Sequence, residues 1–149
     1  MANISNVRKL FADELKSIDA EYREHQDAFP TDNIGKNNYN KTFHINFYDL
    51  VGSTLSHVTT REQIKVKVKL FRKGFRDPQQ AADDLFDFTN KYRLSMMKPK
   101  DYKVPFMHIL KIFCEGFTIS GLDTNDNSIY AEANFVVDVV FGTEENQDC

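Results

Sequence analysis

The chain contains no tryptophan, only two cysteines in 149 residues, and no apolar run near the roughly 20 residues that a membrane-spanning helix needs. Cys114 and Cys149 do not make a disulfide framework, so a reducing cytoplasm is the expected compartment. The first residues, MANISNVRKLF, lack the apolar segment of a signal peptide. These absences argue against a secreted disulfide scaffold and against contact with a membrane.

Sequence motifs of catalysis and metal binding are also missing. There is no HExxH, CxxC, GxSxG, P-loop or GxGxxG pattern, and the four histidines are scattered. Cys114 lies in an apolar stretch, where a thiol behaves as a small hydrophobic side chain. A calcium-loop pattern starts at Asp123, but Ser128 stands where glycine is needed and Asn134 where glutamate is needed. We therefore expect no catalytic residue, no metal and no cofactor, and we do not expect an enzyme.

Charge is unevenly distributed along the chain, although the formal net charge is only −3. Residues 61 to 76 hold seven basic residues and one acidic residue, whereas residues 112 to 149 hold eight acidic residues and no Lys or Arg. The two segments therefore carry formal charges of +6 and −8. This asymmetry indicates charged partners or complementary patches on one protomer.

The basic segment, REQIKVKVKLFRKG, has the two-residue period of a β-strand. One face should be apolar and join the core, and the other should be charged. The apolar positions are Ile64, Val66, Val68 and Leu70, and the lysines between them are Lys65, Lys67 and Lys69. At this point three interpretations stay open: binding of DNA, contact with an acidic protein surface, or a sheet face made polar for solvent.

The remaining patterns predict an α+β domain that spans residues 1–149. An amphipathic helix covers residues 4 to 24, a polar loop 30–40, a first strand 39–50 and a connection 51–60. A second helix starts with Asp77 as N-cap, Pro78 at the first helical position and Gln80 in a capping box.

The C-terminal third predicts two more strands. Residues 107–119 contain a strand from about Phe113, with a short helix as the alternative for the first part. Unbroken alternation from Ile129 to Phe141 gives the longest strand, and residues 142–149 form a polar, flexible tail. The predicted order is α-β-β-α-β-β, with about four strands in a mainly antiparallel sheet packed by two main helices.

This layout resembles the tail terminator proteins of long-tailed bacteriophages, the family that includes the tail terminator of phage lambda. Residues 109 to 141, ILKIFCEGFTISGLDTNDNSIYAEANFVVDVVF, resemble the closing hairpin of the family. QIKVKVKLF followed by DPQQAADDLFDFTNKY is similar to its central strand and following helix. Residues 30–40 and 51–60 depart from the family pattern.

The resemblance implies a structural, non-enzymatic role at the head-proximal end of the virion tail. Members form hexameric rings that cap the tail tube, end its polymerisation and provide the surface to which the filled head docks. The implied partners are other copies of the chain, the tail tube protein and a head-completion or neck protein. DNA passes through the channel without sequence-specific binding, and assembly takes place in the host cytoplasm.

Under this hypothesis, the basic strand region of one subunit contacts the acidic surface of the next. The candidate interface residues are Lys65, Lys67, Lys69, Arg72, Lys73, Arg76, Asp123, Asp126, Glu132 and Asp138. Two alternatives remain: another ring protein of the head-to-tail neck, and a small nucleic-acid-binding module.

Overall fold

The computed structural model describes residues 4–24, 41–56, 59–73, 75–98, 107–123 and 128–142. In these ranges the chain forms two helices and one five-stranded sheet. The elements are α1 (Ile4–Ile18), β1 (Arg23–Glu24), β2 (Lys41–Ser56), β3 (Thr59–Lys73), α2 (Pro78–Met97), β4 (Met107–Asp123) and β5 (Ser128–Gly142). The predicted polar loop 30–40, the tail beyond residue 142 and Cys149 lie outside the described residues.

The strands follow the order β1-β2-β3-β5-β4 across the sheet. The β2–β3, β3–β5 and β5–β4 pairs are antiparallel, whereas β1 runs parallel to β2 through two residues. The α+β class is therefore confirmed. The prediction of about four antiparallel strands needs correction to five strands in a mixed sheet, because β1 is inserted between α1 and β2.

Helix α1 ends six residues earlier than predicted. The carboxylate of Asp19 accepts a hydrogen bond from the Glu21 backbone N–H at 3.0 Å and another from the Lys41 ammonium at 2.6 Å. A side-chain acceptor of this kind favours a turn over continued helix. Tyr22 has the spacing of the apolar residues of α1 but lies after the end of the helix. Its side chain is still part of the core, with only 2% of its surface exposed.

Strands β2 and β4 are both longer than predicted. Most of the predicted connection 51–60 is strand, because β2 continues to Ser56 and β3 starts at Thr59. Strand β4 starts at Met107, so the alternative of a short helix before Phe113 is wrong. Both strands carry bulges or irregularities, at two places in β2 (Phe47 to Asp49 and Thr54 to Ser56) and at three places in β4. They interrupt the simple alternation that sequence patterns detect.

Helix α2 begins as predicted, with Asp77 as N-cap and Pro78 at the first position. The Asp77 carboxylate accepts hydrogen bonds from the backbone N–H groups of Gln79 and Gln80. The capping box is not formed, because the Gln80 side chain donates to Asp84, one turn further along the helix, at 2.8 Å. Ala81, Leu85 and Tyr92 of this helix are buried, and Phe88 beside them is half-buried.

Both helices pack on the same face of the sheet, and Phe135 of β5 lies at the centre of this contact. Its ring meets Phe11 of α1 at 5.3 Å and Tyr92 of α2 at 5.8 Å between centroids, both edge to face. The Tyr92 hydroxyl donates to the Phe11 carbonyl at 2.9 Å, so the buried phenol has its hydrogen-bond partner. The apolar side chains of β3 lie beneath these rings and are fully buried: Ile64, Val66, Val68 and Leu70.

We expect Phe135→Ala to destabilise the fold by about 3–5 kcal/mol, since it leaves a cavity where both helices meet the sheet. Chemical denaturation followed by circular dichroism measures the change. Phe86→Ala is the matched control, because Phe86 is 52% exposed and its main aromatic contact is with Phe117 alone. Its loss should cost at most about 1.5 kcal/mol. Equal losses for the two variants would contradict the assignment of Phe135 as the central packing residue.

Candidate functional site

The face of the sheet opposite α1 and α2, here called the open face, carries the lysines of β3. Since side chains alternate along a strand, the residues between the four buried apolar positions of β3 all point to this face. Across the sheet, Lys65 lies level with Val136, Lys67 with Asn134 and Lys69 with Glu132. The predicted division of β3 into an apolar face and a lysine face is therefore confirmed.

Two acidic residues of β5 lie on the same face and pair with basic residues of β3. Lys67 approaches Glu132 at 3.0 Å, and Arg61 donates two hydrogen bonds to Asp138 at 2.8 and 3.2 Å. The basic and acidic segments of the sequence are thus neighbouring strands of one sheet. Glu132 and Asp138, predicted to contact another subunit, already have basic partners within their own chain.

Asp138 is the most deeply buried charged residue on the open face, with 1% of its surface exposed. The hydrogen bonds from Arg61 hold the pKa of this carboxyl below its ordinary value, and they outweigh the opposing effect of burial. The Arg61 side chain is about half exposed and covers the carboxylate from the solvent side. A buried carboxylate with a two-point guanidinium contact is a stabilising pair rather than a free acidic patch.

Two of the lysines on the open face lie against aromatic rings. The Lys67 ammonium lies 5.2 Å from the centre of the Tyr48 ring, and the Lys69 ammonium lies 5.7 Å from that of Tyr130. Tyr130 in turn stacks on Phe71 at 5.9 Å. These contacts hold the long lysine side chains close to the sheet, where each ammonium gains from the negative face of a ring.

Several side chains on the open face are buried although both described helices lie on the other face. These buried residues are Thr42, His44, Phe71 and Val136. His44 is 4% exposed and lies level with Lys69 of β3. The hydroxyl oxygen of Thr42 is buried without a hydrogen-bond partner. The centre of the open face is therefore buried, although neither described helix lies on it.

Lys65 and Lys69 differ from Lys67 because neither forms an ion pair with any residue in the described part of the chain. Lys65 is level with Asp49 of β2, but the two side chains do not meet. Both lysines are partly exposed. Among the described lysines between Ile64 and Leu70, these two are therefore the ones whose ammonium groups are not already beside a carboxylate.

The other predicted interface residues are not all on this face. Arg72 points to the helix side, since it shares the orientation of buried Leu70, and its Nε atom is buried without a hydrogen-bond partner. Arg76 is exposed in the bend before α2, while Lys73 ends β3 with the orientation of Lys69. Arg72 therefore does not lie on the same surface as the lysines of β3, although the sequence grouped these basic residues together.

Two predicted acids are not placed by the structure. Asp123 is the last residue of β4, but its side chain is not among those described, and Asp126 lies outside the described residues.

Sequence reasoning missed Arg61 and Tyr130 as parts of the open face. The alternation of β5 could have identified Tyr130, because it has the same parity as Glu132 and Asp138. The role of Arg61 depends on the pairing of β3 with β5, which no local pattern shows.

The described residues contain no group of three or more His, Cys, Asp or Glu side chains arranged to hold a metal ion. None of the helices in the described ranges is long and apolar enough to cross a membrane. Burial raises the pKa of the Cys114 thiol, which leaves it mostly protonated at neutral pH.

Neither a protein-family model nor a curated protein matches the sequence.

The Arg61–Asp138 pair predicts how stability depends on pH. Because the pKa of Asp138 is lowered in the folded state, the pair stabilises the fold above the ordinary pKa of Asp, about 3.9. That stabilisation is lost as pH falls through the lower, folded-state value. We therefore expect Asp138→Asn to be less stable than the wild type at pH 7, with the difference shrinking below about pH 4.

Denaturation curves at several pH values measure this difference. Asp87→Asn is the control, because Asp87 is exposed on α2, which packs on the face of the sheet opposite to Arg61 and Asp138. A stability difference for Asp138→Asn that stays constant from pH 7 to pH 2 would contradict the role given to the pair.

Proposed function

We propose that the chain is a structural tail terminator, a ring-forming subunit that caps a phage tail tube. The order of the elements supports the resemblance, since a helix, a strand pair, a second helix and a closing strand pair follow one another in the chain. The closing pair, β4 and β5, covers the residues that carry the strongest resemblance. The additional strand β1 is only two residues long and leaves this order recognisable.

The observation that carries the proposal is the division of the sheet into two unlike faces. One face is covered by both helices and builds the core, while the other presents the lysines of its central strand. A sheet face that carries charged side chains and is not covered by either described helix is suited to protein contacts. In the proposed ring, this surface contributes to contacts with neighbouring subunits or with the tube.

The proposed mechanism is steric. A ring on the last tube layer covers the surface to which the next tube subunit would bind, so polymerisation ends there. The opposite side of the ring receives the head-completion or neck protein, and DNA passes through the channel without sequence-specific contacts. Strong attraction between lumen and phosphates would slow the DNA, so we place Lys65 and Lys69 at protein contacts.

A nucleic-acid-binding module is the second candidate, and the Tyr48 and Tyr130 rings beside the lysines favour it. Basic groups interleaved with aromatic rings suit single-stranded nucleic acid. The rings here are occupied by lysine ammonium groups and by Phe71, which leaves less aromatic surface for bases. For that reason we rank this function below the terminator.

Removal of the gene from its phage tests the proposal. We expect tubes of excessive and variable length without heads, because nothing stops polymerisation or receives the head. Electron microscopy of lysates measures tail length and head attachment, and supply of the wild-type chain from a plasmid should restore both. Free tails of normal length would point to another neck protein, and normal phage particles would exclude any essential role at this joint.

Charge reversal tests the open face within the same complementation system. We expect Lys65→Glu with Lys69→Glu to fail to restore capped tails, since the two unpaired cations are lost. Lys67 is left unchanged because its ion pair with Glu132 belongs to the fold. The matched control reverses two exposed lysines on the helices, Lys9→Glu and Lys91→Glu.

Two results distinguish the candidates. Capped tails with the Lys65 and Lys69 variant, at the wild-type frequency, would remove the open face from the assembly contacts. Salt-dependent DNA binding by the isolated chain, weakened by this variant and not by the control, would favour the nucleic-acid-binding module.

A further inference from the structure

In the described part of the chain, the sheet ends in two strands, and no described strand pairs with most of either outer edge. Among the described strands, β4 is the last on one side, and none pairs with its outer edge. On the other side, β1 pairs with β2 only at Thr42 and Phe43. Arg8 donates to the Ile45 carbonyl at 2.6 Å, so the unoccupied part of the β2 edge begins after Ile45. Unpaired edges of this length are templates for strand addition.

The two edges have opposite strand directions. Three successive antiparallel pairings separate β2 from β4, so β4 runs opposite to β2. If copies are related by rotation about an axis along the strands, the β4 edge of one copy meets the β2 edge of the next in antiparallel orientation. The contact joins two different surfaces, and contacts of that kind close into rings when the rotation between copies permits.

The parts of β2 and β4 that could pair with another strand lie in the same half of the sheet. The register places the free part of β2, residues 46 to 56, level with residues 107 to 116 of β4. Bulges in β4 before Lys111 and before Gly116 leave a regular segment of four residues, Lys111 to Cys114, within that half. The backbone N–H of Cys114, at the end of this segment, already donates to Met97 Sδ at 3.4 Å, so the edge is open to a partner strand from Lys111 to Phe113. The bulges limit pairing to a short stretch, which discourages open-ended aggregation while leaving a site for one partner strand.

Exposed apolar side chains lie on both edges at this level. Leu50 of β2 is 53% exposed and is level with Ile112, while Leu110 of β4 is 45% exposed and lies two residues before Ile112 in the chain. The exposed charges also differ in sign, with Asp49 on the β2 edge and Lys111 on the β4 edge. In the register of the sheet, the positions of Asp49 and Lys111 along the strand direction differ by two residues. A strand pair with apolar contacts and opposite charges across it is favourable.

We propose that the β2 edge of one copy pairs with the β4 edge of the next, so that successive copies form one continuous antiparallel sheet. The inference deepens the proposed ring and rests on it, and it names a second copy of this chain as the occupant of both edges. The backbone edges then supply the main contact between subunits. The lysines of the open face lie on β3, one strand in from the β2 edge. Their charge influences which surfaces of two copies approach each other.

Lysine substitution on the edges tests the pairing, because a charge on an edge strand disfavours strand addition. Leu50→Lys blocks the β2 edge and Leu110→Lys blocks the β4 edge. Leu94→Lys is the matched control, since Leu94 is 46% exposed on α2, away from both edges. Each purified chain is added to tubes that lack the protein, and rings at the tube ends are counted by electron microscopy.

We expect rings with the wild type and Leu94→Lys and their loss with Leu50→Lys and with Leu110→Lys. Rings at the wild-type frequency with either edge variant would overturn the edge pairing and leave the terminator function standing. A failure of the wild type itself to form rings on the tubes would overturn the proposed function, and the edge pairing with it. Circular dichroism establishes that each variant is folded.

Cross-linking gives a second, independent readout. Cys114 and Cys149 are replaced by serine, and Leu50→Cys and Leu110→Cys are introduced together or singly. With a short bismaleimide on capped tubes, we expect a ladder of linked subunits only when both new cysteines are on each chain. Linked dimers from Leu110→Cys alone would indicate that two β4 edges meet, and absence of any ladder from the double variant would also contradict the proposal.

Discussion

The pairing of β3 with β5 is the contact on which the rest of the structure depends. It brings the two strongest alternating patterns of the chain side by side in the middle of the sheet, fifteen residues of β3 against fifteen of β5. On one face this contact forms the apolar floor beneath Phe11 and Tyr92. On the other it sets Lys67 beside Glu132 and Arg61 beside Asp138. It also leaves β2 and β4 as the outer strands.

The same pairing changes the meaning of the charge distribution. In the sequence, a basic segment and an acidic segment suggest two separate surfaces that attract each other between copies. In the fold they are neighbours, and two of the acids are neutralised within the chain. In the proposed ring, the described features that a partner would meet are Lys65 and Lys69 on the open face and the backbone edges with Leu50 and Leu110. Recognition between copies in that ring depends on strand geometry as well as on charge.

Local features of the sequence predicted local features of the fold. Asp77 and Pro78 marked the start of α2, and the alternation of β3 and β5 identified both strands and their buried faces. The end of α1 was missed because Tyr22 keeps helical spacing while Asp19 turns the chain.

The candidate site was only partly predictable for a related reason. Parity along β3 placed the three lysines correctly, but the partner of Asp138 depends on which strands are adjacent. That adjacency joins residues 77 positions apart, and no local pattern encodes it. Bulges in β4 hid the start of that strand, since each one shifts the alternation by which a strand is recognised in a sequence.

The central claim is that one sheet face builds the core while the edges and the open face build an assembly. Electron cryomicroscopy of a capped tail end tests this claim most directly, at a resolution that traces strands. The account requires a ring in which β2 of each subunit lies beside β4 of the next, with α1 and α2 away from that junction. A ring whose subunits meet through the helices, with both sheet edges open to solvent, would contradict it.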